Sequence, residues 1–197
     1  MISQRGLNGM IARGGGGHAA SLMRRWYFPV VGLVLLALTV LGFSDNLFTN
    51  VGQKSNTDPK FIAHGLFCLA WMTLLAVQAN LVGQGKVRLH RTLGMAGMAI
   101  AAGVVLSTLW VFIAVWKGWA AMAVVGKANR VLLPSVAVAV TLAFLWRARP
   151  DRHRRLMLVA SLYMLEPVLS RAFDPFDPIL DLFTEEQVDR AWWVYFV

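Results

Sequence analysis

The sequence predicts an all-α integral membrane protein, a helical bundle of about five transmembrane helices. Three observations carry that prediction. Of 197 residues, 57% are apolar and 15% charged, with a mean hydropathy of +0.58; soluble domains sit nearer 45–50% and 25%. Several apolar runs reach the roughly 20 residues that a hydrocarbon core about 30 Å thick demands. The net charge of +9 gathers on one side of those runs. A soluble nucleic-acid binder would be basic but would lack spanning runs, so the charge points to lipid headgroups and no nucleic acid is expected as a partner. The single cysteine, Cys68, excludes an internal disulfide and a cysteine-rich metal site.

Residues 1–25 read as a flexible tail. They hold a glycine run at 14–17 and a solvated His18, a composition too poor in apolar groups to pack. Residues 26–173 form the bundle, with spans at 26–43, 61–82, 93–116, 131–146 and 156–173. The first is too long, too far from the start and too poor in small-x-small sites to be a cleaved signal peptide. The fourth contains Pro134, a fault neighbouring helices absorb. The fifth carries Glu166-Pro167 and is the least lipid-like. An apolar stretch at 118–126 is too short to span and is assigned to the interface. Residues 174–197 are an acidic and aromatic tail. Twelve Lys and Arg fall on the side of residues 1–25, 84–92 and 147–155, against seven on the other. The positive-inside rule therefore puts the N-terminus in the cytoplasm and the C-terminal tail outside.

Two loops share local text. Leu89-His90-Arg91-Thr92-Leu93 opens the third span, and Arg152-His153-Arg154-Arg155-Leu156 opens the fifth, 63 residues from His90 to His153. The same offset maps the second span onto the fourth. This reads as two copies of a helix–loop–helix hairpin, with His-Arg on one membrane face of each. In the third span Ala99, Gly103 and Ser107, and separately Gly97 and Ala101, follow the small-xxx-small spacing of close helix packing.

Polar residues within the apolar runs are the candidates for chemistry. His64, Trp71 and Gln78 are spaced by seven and form a stripe on one face of the second helix, about 21 Å long. They face the bundle interior, where hydrogen bonds across helices are the structural reading. His90 and His153 share a depth on two different helices, and two neutral imidazoles facing each other supply both axial ligands of a haem iron. Arg91, Arg154 and Arg155 would then meet propionates. The structural reading is that these residues cap helices or contact lipid phosphates. Glu166 is an intramembrane acid, a proton-handling candidate, for which His64 or Arg171 is the expected ion-pair partner. No phosphate-binding glycine loop, His-Glu-x-x-His or Gly-x-Ser-x-Gly is present, so no catalytic residue is assigned.

These residues also carry a resemblance. His64-Gly65-Leu66-Phe67 with Trp71, then Gln78, Leu89-His90-Arg91-Thr92-Leu93-Gly94, His153-Arg154-Arg155-Leu156-Met157 and Arg171 together resemble an uncharacterised family of bacterial multi-span membrane proteins with HGxxFxxxW…Q…LHRxLG…H[KR]RLM text. The resemblance covers roughly residues 61–171. It implies a bacterial inner-membrane location and no defined activity. Three functions follow from the residues. The first is a non-catalytic accessory or structural subunit, or assembly partner, of a larger energy-transducing (respiratory or photosynthetic) complex, with lipids and other integral membrane subunits as partners. The second is a b-type haem electron-transfer protein, with haem b as cofactor. The third is a small proton-coupled transporter using His64 and Glu166.

Overall fold

The computed structural model describes residue 23 and residues 25–173; the expectations for residues 1–22 and for the tail at 174–197 lie outside the described residues. Among these, every regular element is helical. In order they are α1 (Arg25–Gly42), a π-helical turn (Asp45–Thr49), a 3₁₀ turn (Lys54–Asn56), α2 (Pro59–Gly83), α3 (Val87–Ala114), α4 (Val124–Leu145), α5 (Pro150–Tyr163) and α6 (Glu166–Phe173). Among the described residues four helices, α1 to α4, are long and apolar enough to cross a membrane.

The local sequence sets the boundaries. Asp58 caps α2, its carboxylate accepting from the Lys60 amide at 3.2 Å, and Pro59 fills the first turn where its missing N–H is harmless. The α2–α3 turn closes on Gly85 at φ 78°. There the Lys86 amide bonds the Leu81 carbonyl at 2.8 Å and the Gly85 amide bonds Val82 at 3.0 Å. That pair of bonds is the Schellman stop, and its left-handed residue favours glycine.

Three helices begin six or seven residues earlier than hydropathy predicts, α5 among them at Pro150 instead of 156. α3 starts at Val87 instead of 93, and α4 at Val124 instead of 131. Charged residues mask a helix start in a hydropathy count but not in space. Arg130 shows why: its guanidinium donates to the Phe112 and Gly126 carbonyls, both at 3.0 Å, and lies over the rings of Phe112 and Trp116. Its stem stays apolar while its head finds acceptors. Pro134 sits inside α4 without ending it, as neighbouring helices permit.

The predicted fifth span is two helices. α5 ends at Tyr163, and α6 begins at Glu166. The Met164 and Leu165 amides bond three residues back, to Ser161 and Leu162, and Pro167, which has no N–H to bond the Tyr163 carbonyl, favours the break there.

In lipid the apolar side chains gain nothing by leaving solvent, so packing and hydrogen bonds must hold the helices together. Small residues do the first. A Cβ on Gly97 would meet Leu74 at 3.0 Å, and one on Gly103 would run into the Phe67 ring. The small faces of α3 are thus filled by α2, with Gly97, Ala101, Gly103 and Ser107 buried while Ala99 points outward. Likewise Gly32 brings α1 against the Ala76 backbone, and Gly42 lies against the Val168 carbonyl, where a Cβ would sit at 2.6 Å. The core joins all six helices through Leu35, Trp71, Val104, Val136, Ala160 and Val168. One hydrogen bond ties the two hairpins at mid-depth: Trp71 Nε1 donates to Ser161 Oγ at 3.1 Å, both residues buried. Such a bond between helices in lipid contributes about 0.6 kcal/mol. Large apolar groups such as Leu66, Leu106 and Ile113 point outward, the face a bilayer covers.

Candidate functional site at the basic end

The turns α2–α3 and α4–α5 lie at the same end of the bundle, where Lys86, Arg88, Arg91 and the arginines of 147–155 gather. α3 and α5 each begin there, and each carries a histidine in its first turns. The two imidazoles meet. Their centroids are 6.1 Å apart with planes at 80°, although 63 residues separate them.

The His153 ring is oriented by backbone. Its Nδ1 lies 2.9 Å from the Ala143 carbonyl. A carbonyl only accepts, so Nδ1 carries a proton, and in the neutral ring Nε2 is the nitrogen with the lone pair. The His90 ring is held differently. The Gln78 side-chain amide donates to the His90 backbone carbonyl at 3.2 Å, and the Gln78 backbone carbonyl faces the ring. Among the described residues, three buried side-chain polar atoms lack a hydrogen-bond partner: Gln78 Oε1, His90 Nδ1 and Arg154 Nε. All three belong to this end. Leaving such a group unsatisfied costs about 1–3 kcal/mol, so their concentration here sets the site apart from the other described residues. Arg154 also pairs with Asp151 and lies over the Phe28 ring of α1 at 5.2 Å. Arg91 and Arg155 are exposed.

The two rings, 6.1 Å apart on separate helices, are near enough for both to hold one bound group. A bare ion would find too few ligands, since the described residues contain no group of three or more His, Cys, Asp or Glu able to hold one. A haem brings four nitrogens of its own and needs only two from the protein.

The stripe on α2 divides by function. Trp71 fills the core. His64, one helical end away from the basic site, places Nδ1 3.4 Å from Ser107 Oγ and from Thr108 Oγ1 and its ring 3.7 Å from Cys68 Sγ. Both hydroxyls already donate to the Val104 carbonyl, so they accept from His64. This is a half-buried histidine hydrogen-bonded between α2 and α3.

Glu166 finds neither expected partner. It is 7% exposed and accepts from Asn129 Nδ2 of α4 at 2.8 Å. Arg171 instead donates to Asn46 Oδ1 at 2.8 Å and lies over Phe43. Both side chains lie on α6, where an offset of five residues at about 100° per residue points them to different sides of the helix. Residues that sequence reasoning passes over are Asn129, Ala143 and Ser161. Asn129 sits among charges at a helix start, and the other two act through groups with no sequence signature.

The fold and its apolar exterior define the class, an α-helical membrane protein. Searches for a particular kinship end there: no family model, no curated protein and no solved structure matches the chain.

Proposed function

We propose that the protein binds one b-type haem between His90 and His153 and serves in electron transfer at a bacterial inner membrane. The observation that carries this reading is the 6.1 Å imidazole pair supplied by two separate helices. The fixed tautomer of His153 leaves one nitrogen free to ligate, and the unpartnered Arg154 Nε is a donor for a propionate, as Arg91 and Arg155 are by charge. A haem bound there supplies a one-electron couple; the chain supplies the ligands, their orientation and positive charge for the carboxylates. The positive-inside rule then puts this end in the cytoplasm, and the two hairpins are read as a duplicated pair with α5–α6 completing a fifth crossing.

The accessory-subunit reading stands beside it and is compatible with it. It is supported by a groove of about 310 Å³ between α3 and α4, lined by Met98, Ala102, Val105, Val136, Ala137 and Thr141. The small faces of α3 no longer argue for a partner, because α2 occupies them. The proton-coupled reading draws no support from geometry, since His64 and Glu166 bond to other groups.

The full chain, expressed with haem supplied and purified in mild detergent, tests the proposal. A low-spin bis-imidazole spectrum at one haem per chain is expected, and His90→Ala and His153→Ala should each remove it. A colourless protein, or a Soret band that survives both substitutions, overturns the reading. Co-purification of other membrane subunits at fixed stoichiometry checks the subunit reading separately.

A further inference from the structure

Each histidine of a ligating pair needs an acceptor on the nitrogen that does not ligate. That acceptor fixes the tautomer and the ring's direction. His153 has one, the Ala143 carbonyl. His90 Nδ1 is buried and has none at hydrogen-bonding geometry, and the Gln78 amide oxygen is buried and has no donor. The two deficits are complementary, one atom being able to donate and the other to accept. The two residues are already in contact, because the other half of the same amide bonds the His90 main chain at 3.2 Å. Gly94 stands nearby, and even a Cβ there would approach Gln78 Nε2 no closer than 3.7 Å, so the amide has room to turn.

We infer that Gln78 is a positioning residue for His90: its side-chain oxygen accepts from Nδ1–H, holding Nε2 toward His153 as the Ala143 carbonyl holds the opposite ring. The inference deepens the haem reading and rests on it for its role, but the contact, made by turning the amide, needs no haem to form. The two histidines are then held by unlike means. One is fixed by main chain that no substitution removes, the other by a side chain that a single change deletes.

Long-range proton–nitrogen spectra of histidine-labelled full-length protein in detergent, at about pH 8 where neutral imidazole dominates, test it. His90 and His153 should both carry the proton on Nδ1. Gln78→Leu should shift the His90 tautomer ratio about fivefold toward Nε2–H, one hydrogen bond's worth, and leave His153 unchanged as an internal control for folding. Gln78→Glu keeps the acceptor and should preserve the His90 tautomer. An unchanged His90 in Gln78→Leu assigns the proton to the Gln78 backbone carbonyl and overturns the inference, as does an Nε2–H tautomer in the parent protein. In haem-loaded protein, Gln78→Leu should weaken haem binding about tenfold to a hundredfold, while Gln78→Glu should not. If the parent protein takes up no haem, the function proposed above fails while the tautomer result stands on its own.

Discussion

The two ends of the bundle handle their polar groups in opposite ways. At the end formed by the α1–α2 connection, the network closes on itself. Asn46 Nδ2 donates to Ser55 Oγ at 3.1 Å and to Asn56 Oδ1 at 2.8 Å. Asn56 returns two bonds to the Asn46 and Val51 carbonyls. Gln53 donates to Asp45 Oδ2 at 3.1 Å, and Arg171 of α6 donates to Asn46 Oδ1. At the basic end, Gln78, His90 and Arg154 keep buried atoms without partners. A closed network rigidifies and needs nothing further, whereas an open one stores an unmet demand. The contrast marks the first as a structural cap and the second as a place built to hold something.

Substitutions at each end sharpen that distinction. The largest effect belongs to Asn46→Ala, which strips partners from Ser55, Asn56 and Arg171 at once. A loss of about 2–3 kcal/mol is expected, read as a lowered midpoint in thermal or denaturant unfolding in detergent. A loss below about 0.5 kcal/mol would show that the cap is not structural. Acid acts on the same network more gently. The hydrogen bond from Gln53 holds the Asp45 carboxyl below its ordinary value of 3.8. A folded-state value that is depressed contributes stability above 3.8, and that contribution is lost as pH falls through the lower folded value. Stability should therefore decline shallowly below pH 3.8, and the part due to Asp45 should vanish in Asp45→Asn. The smallest effect is expected at the other end. Gln78→Leu gives up the bond to the His90 carbonyl and the acceptor assigned to His90 Nδ1, but the imidazole proton can move to Nε2, so the stability of the haem-free protein should fall by no more than about 1 kcal/mol. A loss as large as that of Asn46→Ala would erase the distinction between cap and site.

Much of this was readable in the residues. The fold class, the four long helices and the close α2–α3 approach follow from run length and small-residue spacing, and the repeated His-Arg text does bring two imidazoles together. What was not readable has physical causes. Helix starts at Val87 and Val124 hide behind arginines and lysines that lower hydropathy while their stems lie along the bundle. The split between α5 and α6 is signalled by Pro167 yet looks, by composition, like a kink within one span. Asn129 as the partner of Glu166 depends on how α4 and α6 face each other, which no local pattern encodes. The acceptor for His153 is a main-chain carbonyl, and main chain carries no letter.

The bond from Trp71 to Ser161 has a consequence for the order of assembly. The α2–α3 turn spans only Gln84, Gly85 and Lys86, and α4 and α5 are joined by a similarly brief connection, so closing each pair costs less loop entropy than docking the two pairs. The Trp71–Ser161 contact bridges 90 residues and forms only when those finished pairs dock. The His90–His153 pair, shared between the same two units, exists no earlier. A molecule that binds there recognises only the completed protein, and by mass action it draws half-assembled chains toward completion.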